Sequence, residues 1–277
     1  FYTDGEMSLD DASEDDNARI TSLNQASPDQ SEFSAFLGGQ LNYGFADTGT
    51  VVSLGFEGMP KLSLMQPVSG TGEFTLSVGY MEDDAWADPF LTTASRAVVD
   101  RETWVYGLEW DNIMDTRFRT GYHLTSVDLD NDTAGRRNAA LKRDGEIHSL
   151  SFGHQCLESS PHSFGADLIL EIGDMSGNAH SYNGYGVELV HTFQADTWKL
   201  ETGLGIITRD YDSNHPEFGK TREDTEFEVS TMFTLFNLFN QEEMFLMLYG
   251  GYGRNNSNIN FYDSAPITIG TGIGYTF

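Results

Sequence analysis

The sequence predicts an all-β protein, a transmembrane antiparallel up-and-down β-barrel, on three observations. The first is the alternation of its last stretch: Ile267, Ile269, Thr271, Ile273, Tyr275 and Phe277 share one side. Thr268, Gly270, Gly272, Gly274 and Thr276 share the other, and side chains alternate faces along a strand. The second is that this pattern recurs along the chain, with connections alternately long and short. The third is that the non-apolar face carries ionisable residues at depths where lipid would not tolerate them. No run of about 18 apolar residues occurs, so a transmembrane helix is not expected. Barrel strands alternate and give little hydropathy signal, so a mean hydropathy of -0.37 leaves this reading intact. A barrel in lipid must also close its last strand on its first, because an open edge leaves backbone groups unsatisfied.

Taken in order, residues 1–31 show no usable period. They carry Asp4, Glu6, Asp10, Asp11, Glu14, Asp15, Asp16 and Asp29, which reads as an acidic extracellular loop or arm. Residues 32–277 are the barrel. Ala35, Leu37, Leu41, Tyr43 and Phe45 form the first visible strand, and Val52, Leu54 and Phe56 the next. Leu62 and Leu64 follow, then Phe74, Leu76, Val78 and Tyr80. An acidic segment, 82–102, interrupts before Trp104, Tyr106, Leu108 and Trp110. The turn over 111–116 leads to Phe118, Thr120, Tyr122 and Leu124, and a second long segment spans 128–144. Leu150 and Phe152, then Phe164, Ala166, Leu168, Leu170 and Ile172, continue the outward face. Tyr185, Val187, Leu189 and Phe193 lead through a short turn at 194–197 to Trp198, Leu200, Leu204 and Ile206. After a long segment at 210–224 come Phe227, Val229, Phe233 and Leu235, then a short turn at 239–243. Residues 244–252 are apolar on both faces, and 254–264 is the last long loop.

Short periplasmic turns and longer extracellular loops are the habit of outer-membrane barrels. Aromatics beside the short turns, Trp110 with Phe118, Phe193 with Trp198, and Phe277 at the end, suit a periplasmic girdle. About thirteen strands are visible, an odd number, where bacterial single-chain barrels are even. The expectation is therefore 14 strands with the first lying before Phe1, missing or cleaved; 12 is the fallback if the weak pair at 50–69 is miscounted. Phe1 in place of a start methionine, and no signal-peptide pattern, fit a processed or trimmed chain.

A formal net charge of -28 argues against nucleic acid and against docking on anionic lipid by charge. It is compatible with loosely held divalent cations or cationic solutes near a mouth, and equally with solvated loops. The single cysteine, Cys156, cannot make an internal disulfide.

The stretches W-A-D-P-F (86–90), E-W-D-N (109–112), F-G-K-T-R-E-D (218–224) and S-N-I-N-F-Y-D-S (257–264) resemble those of a Gram-negative outer-membrane family known only as a domain of unknown function. The likeness covers most of the chain from about residue 40. It implies an outer-membrane barrel with no established substrate, and a further strand ahead of the acidic segment.

Candidate lumen-lining residues on the polar faces are Glu109, Arg117, Arg119, Asp167, Glu171, Glu188, Lys199, Glu201, Glu226 and Glu228. They are either a salt-bridged plug or a polar path whose excess of carboxylates prefers cations. Asp128, Asp130 and Asp132 resemble the start of a calcium loop, but Thr133 and Ala139 stand where it needs Gly and Glu. The Asp10 to Asp16 cluster is a second loose candidate for divalent cations. A barrel hydrolase needs Ser and His in reach of each other; His148 and Ser149 are adjacent and so point to opposite faces, and His123 shares a face with Thr125 but no nucleophile. His148, His154 and His191 point outward. No enzyme and no resident cofactor are expected.

Three functions fit: a channel for passive uptake of small solutes, preferring cations; a transporter of hydrophobic molecules with lateral exit, suggested by Met232, Phe236, Phe245, Met247 and Tyr249 on inward positions; or a closed structural or adhesive barrel. In each, the protein is a monomer in contact with outer-membrane lipid and lipopolysaccharide.

Overall fold

A computed structural model describes residues 2–10, 12, 18–25, 29–33, 38–56, 59–159 and 161–276. Fifteen strands follow one another: β1 (Tyr2–Glu6), β2 (Asp29–Phe33), β3 (Gly39–Phe45), β4 (Thr50–Phe56), β5 (Pro60–Val68), β6 (Gly72–Trp86), β7 (Val98–Asp111), β8 (Phe118–Leu129), β9 (Gly145–Ser159), β10 (His162–Met175), β11 (Tyr182–Gln194), β12 (Trp198–His215), β13 (Lys220–Phe236), β14 (Met244–Ser257) and β15 (Ala265–Tyr275). Among the described residues, one short α-helix, α1 (Thr133–Arg137), lies between β8 and β9.

All strands join one antiparallel sheet in the order β2-β1-β15-β14 and so on down to β4-β3. From β3 to β15, apart from the β1–β2 end, each strand pairs with its neighbours in sequence, the up-and-down topology expected. Among the described residues the sheet is not closed by hydrogen bonds: β2 and β3 are its two edges. They are consecutive in the chain, and the fourteen antiparallel pairings between them make them run in the same direction.

The first of these strands was not expected from the sequence. Tyr2–Glu6 pairs with β15 from Tyr2↔Ile269 to Glu6↔Ala265. This corrects the reading of residues 1–31 as loop alone, since both ends of that segment, β1 and β2, belong to the sheet. The alternation was invisible there because Asp4 and Glu6 share the face of Tyr2, as suits a strand end lying above the lipid. Of the first expected strand, Ala35 and Leu37 lie outside the described residues, as do Asp11 and Glu14 to Asp16 of the acidic cluster and Phe277 of the girdle.

The second correction concerns the long segments. Residues 210–224 are not a loop: β12 and β13 pair on, past an irregularity between Asp210 and Asn214, to His215↔Lys220. Likewise β6 runs to Trp86 and β14 to Ser257. A strand needs only about 10 residues to cross a bilayer, so these ends project beyond it. There both faces meet water or other loops, and the apolar alternation that marks a strand in sequence disappears.

The wall is inside out relative to a soluble protein. On β10, Leu168, Leu170 and Ile172 are 58%, 56% and 54% exposed, while Asp167 on the opposite face is 7% exposed. Leu41, Leu54, Leu76, Tyr106, Tyr185 and Ile273 are exposed in the same way on other strands. Such a surface is stable only in hydrocarbon, with the polar face turned to an enclosed interior. The buried apolar core lies instead at one end. Leu9 and Ile20, from the segment between β1 and β2, pack with Phe90, Ala134, Leu141, Ala179, Ile259, Phe261 and Tyr262, from connections at the same end of four other hairpins. Those connections arise from points spread around the sheet, so a shared core holds them across the mouth.

Candidate functional site

The register of the sheet builds the inner wall in rows. One row runs Glu73↔Asp111, then Arg119↔Gly153, Gly153↔Asp167, Asp167↔Glu188, Glu188↔Gly205 and Gly205↔Glu228, with Asp111 and Arg119 both adjoining the Trp110↔Thr120 pair. Five carboxylates and one guanidinium thus stand in one row of the sheet. Arg119 reaches over β9 to Asp167, its Nε donating to Oδ1 at 2.8 Å and its Nη2 to Oδ2. Gly153 permits this, since a Cβ there would run into both the Asp167 carboxylate and Arg119 Nε. Glu188 and Glu228 make no ion pair among the described residues.

A higher row repeats the device. His123↔Ser149, Ser149↔Glu171, Glu171↔Gly184, Gly184↔Arg209 and Arg209↔Asp224 follow one another across the sheet. Arg209 reaches over Gly184 to Glu171 (Nε–Oε2 2.8 Å) and on its other side to Glu226 (Nη1–Oε2 2.6 Å). A cavity of about 240 Å³ lies against this part of the wall, with Glu171, Glu188, Arg209, Glu226, Glu228 and Ser230 among its lining. Glu109 pairs with His123 at 3.2 Å, and Lys199 with Glu201 at 2.8 Å lower down. Glu188 stands on the strand next to that last pair, β11 beside β12. The register sets Glu201 opposite Thr192 and Glu188 opposite Gly205. Arg117 was expected on the inner wall too. It precedes β8, exposed in the turn after β7.

The inner wall is therefore a set of ion pairs plus carboxylates in excess. Sequence reading missed Glu73, Asp111 and Arg209. The first two sit beside turns, and Arg209 adjoins a stretch taken as loop; only the register reveals their rows.

The girdle residues meet in pairs. Trp110 stacks on Phe74 with ring centres 5.3 Å apart and donates to Thr71 O at 2.9 Å. Phe118 stacks on Phe152, and Phe193 on Trp198 at 4.7 Å. An indole or phenol ring with one wet end suits the membrane boundary. His148 hydrogen-bonds the Tyr122 hydroxyl on the outer face at 2.7 Å, away from Ser149.

The calcium-loop reading does not fit. Asp132 caps α1, its Oδ1 accepting from Gly135 N (3.0 Å) and Arg143 Nη2 (2.9 Å), and its Oδ2 from Arg143 N (3.1 Å). Both oxygens are committed to the protein. Among the described residues, no three His, Cys, Asp or Glu side chains are placed to hold a metal ion together.

Among solved structures, the fold is similar to a loop-L8 deletion mutant of OmpT, an outer membrane protein of Vibrio cholerae, at 10% identity over 99% of this chain and 96% of that one, with a TM-score of 0.44. It is also similar to OpdQ of Pseudomonas aeruginosa (11% identity, 82% and 77% coverage, TM-score 0.36) and to a BenF-like porin from Pseudomonas fluorescens Pf-5 (12%, 82% and 74%, TM-score 0.34). The architecture rests on the strand order and face pattern above: an antiparallel up-and-down wall with an apolar outside and a charged inside is an outer-membrane barrel. No curated protein matches the sequence. The family described as "Protein of unknown function (DUF2860)" matches residues 6–276, and the chain belongs to it.

Proposed function

We propose that the protein is a monomeric outer-membrane channel for the passive passage of small solutes, with a preference for cations. It stands in outer-membrane lipid and lipopolysaccharide. The observation that carries the reading is the row from Glu73 to Glu228, in which one arginine is tied down by Asp167 and four carboxylates remain. Carboxylates lining a water-filled passage concentrate cations and repel anions. The test is single-channel recording in planar bilayers under a potassium chloride gradient. Stepwise ohmic currents with a reversal potential on the cation side support the reading, and anion preference refutes it.

A second reading is favoured by the lower inner wall of β13–β15. There Phe245 lies over Gly274 and Met247 over Gly272, with Met232 level with Tyr249. This strip suits an apolar solute. Uptake of such a solute into protein-bearing vesicles, without ionic current, would favour it over the cation channel. Silence in both assays would favour a closed structural or adhesive barrel.

A further inference from the structure

The core at the mouth holds two histidines that the channel reading does not use. His215, at the end of β12, is fully buried; its Nε2 is 3.0 Å from the Tyr262 hydroxyl, and its Nδ1 accepts from Glu217 N at 3.3 Å. His180, between β10 and β11, lies with its ring centre 5.7 Å from that of His215, and its Nε2 is buried with no hydrogen-bond partner among the described residues. Phe90 and Phe218 flank His215 at 5.0 and 4.8 Å.

The charged neighbours come from each element packed around the pair. Arg222 on β13, ion-paired to Asp224, lies over the Tyr262 ring at 3.5 Å. Arg143, paired to Asp132, comes from the connection between β8 and β9, and Asp10 from the segment between β1 and β2. Tyr211 and Tyr262 complete the surroundings. The two cations are each matched by a carboxylate, so among the described residues an imidazolium added here has Asp10 in its favour and, more weakly, Asp132. Against it stand burial, a second ring 5.7 Å away and two guanidiniums.

We propose that this core is a lid that shuts the mouth at neutral pH and opens in acid, with His180 and His215 as its proton sensors. The proposal rests on the channel reading for its consequence, though not for its mechanism. Burial first, then Arg222 and Arg143, pushes the His180 imidazole down to about 4, with Asp10 and Asp132 opposing. The sign follows: a group that binds its proton more weakly when the lid is shut stabilises the shut state fully above its free value, about 6.5. That stability is lost as pH falls from about 6.5 toward about 4. Between pH 7.5 and pH 5, His180 alone shifts the opening equilibrium about thirtyfold.

The experiment measures backbone hydrogen exchange of 87–97 and 258–264 in the vesicle-inserted protein at pH 7.5 and pH 5, corrected for intrinsic rates, alongside bilayer currents. Protection of both segments should fall about thirtyfold or more at pH 5, with β9 to β12 unchanged inside the membrane, and open-channel current should rise. In H180F/H215F both responses should vanish. Ile20→Asp, which places a carboxylate in the lid core, should open the lid already at pH 7.5 and flatten the pH response, so a misfolded double variant does not end the test. An undiminished pH response in H180F/H215F, or in Ile20→Asp, overturns the proposal, as does equal loss of protection in the wall. Lid opening without current at either pH leaves the lid and removes the channel.

Discussion

Gly153 has Arg119 as its partner on one side and Asp167 on the other, and the ion pair passes over the space where its side chain would be. Gly184 serves Arg209 and Glu171 in the same way, with a built Cβ 3.3 Å from Arg209 Cγ and 3.2 Å from Glu171 Cβ. These glycines let long side chains lie flat on the wall instead of projecting into the passage. Gly153→Val should therefore displace Arg119, costing roughly 1–3 kcal/mol in stability and narrowing the passage. Urea unfolding and unitary conductance are the measurements, and an unchanged conductance would show that the pair does not line the open path. Glu188 and Glu228 carry the excess charge. Glu188→Gln with Glu228→Gln should move the reversal potential toward zero with little change in stability, since neither is in an ion pair among the described residues. Asp167→Asn should behave differently, loosening Arg119 from a partner that is 7% exposed and costing about 1–3 kcal/mol. The charged face was legible in the sequence because strand periodicity assigns faces. Its rows were not, since a row is set by the register of seven strand pairings.

At the scale of the element, two short turns share one backbone form. Asn112, Met114 and Asp115 have φ of 51°, 53° and 59°, and Asn237, Phe239 and Asn240 have 57°, 57° and 61°. Asparagine tolerates this left-handed region, but Met114 and Phe239 do not favour it, and both hold their side chains out at 68% and 76% exposure. Met114→Gly and Phe239→Gly should each stabilise the barrel by about 1 kcal/mol, read from urea titration in vesicles. Loss of stability would mean that the exposed side chains make a contact in the membrane boundary that outweighs the strain. The first turn was legible as D-N-I-M-D-T between two alternating runs. Strand interiors were legible for the same reason, one face meeting lipid and the other water. Their outer ends were not: above the lipid, residues such as Asp210 to His215 are polar on both faces, and only pairing with 220–224 shows them to be strand.

At the scale of the molecule, apolar side chains are divided between two solvents. Those of the wall face hydrocarbon, and those of Leu9, Ile20, Phe90 and Phe261 leave water for a core at the mouth. That core was not legible, because each contributor is a lone apolar residue in a polar stretch with no period. They meet only because hairpin ends spaced around the sheet converge. Arg96, 4% exposed, fastens the crossing: its Nη1 donates to Leu9 O at 2.6 Å and Pro89 O at 3.1 Å, and its backbone N–H to Ala18 O at 2.6 Å. The division of solvents can be tested on two consecutive residues of β10. Leu168 points outward near the middle of the run from Phe164 to Ile172, while Ile169 points inward and lines the charged cavity. Leu168→Arg puts a guanidinium in hydrocarbon near the midplane and should cost about 2–4 kcal/mol of folding into vesicles. Ile169→Arg places the same group beside Glu171 and Glu188 in the wet interior and should cost well under half as much. Urea titrations of both variants decide it, because in a water-soluble protein with the same sheet the order of the two costs would reverse.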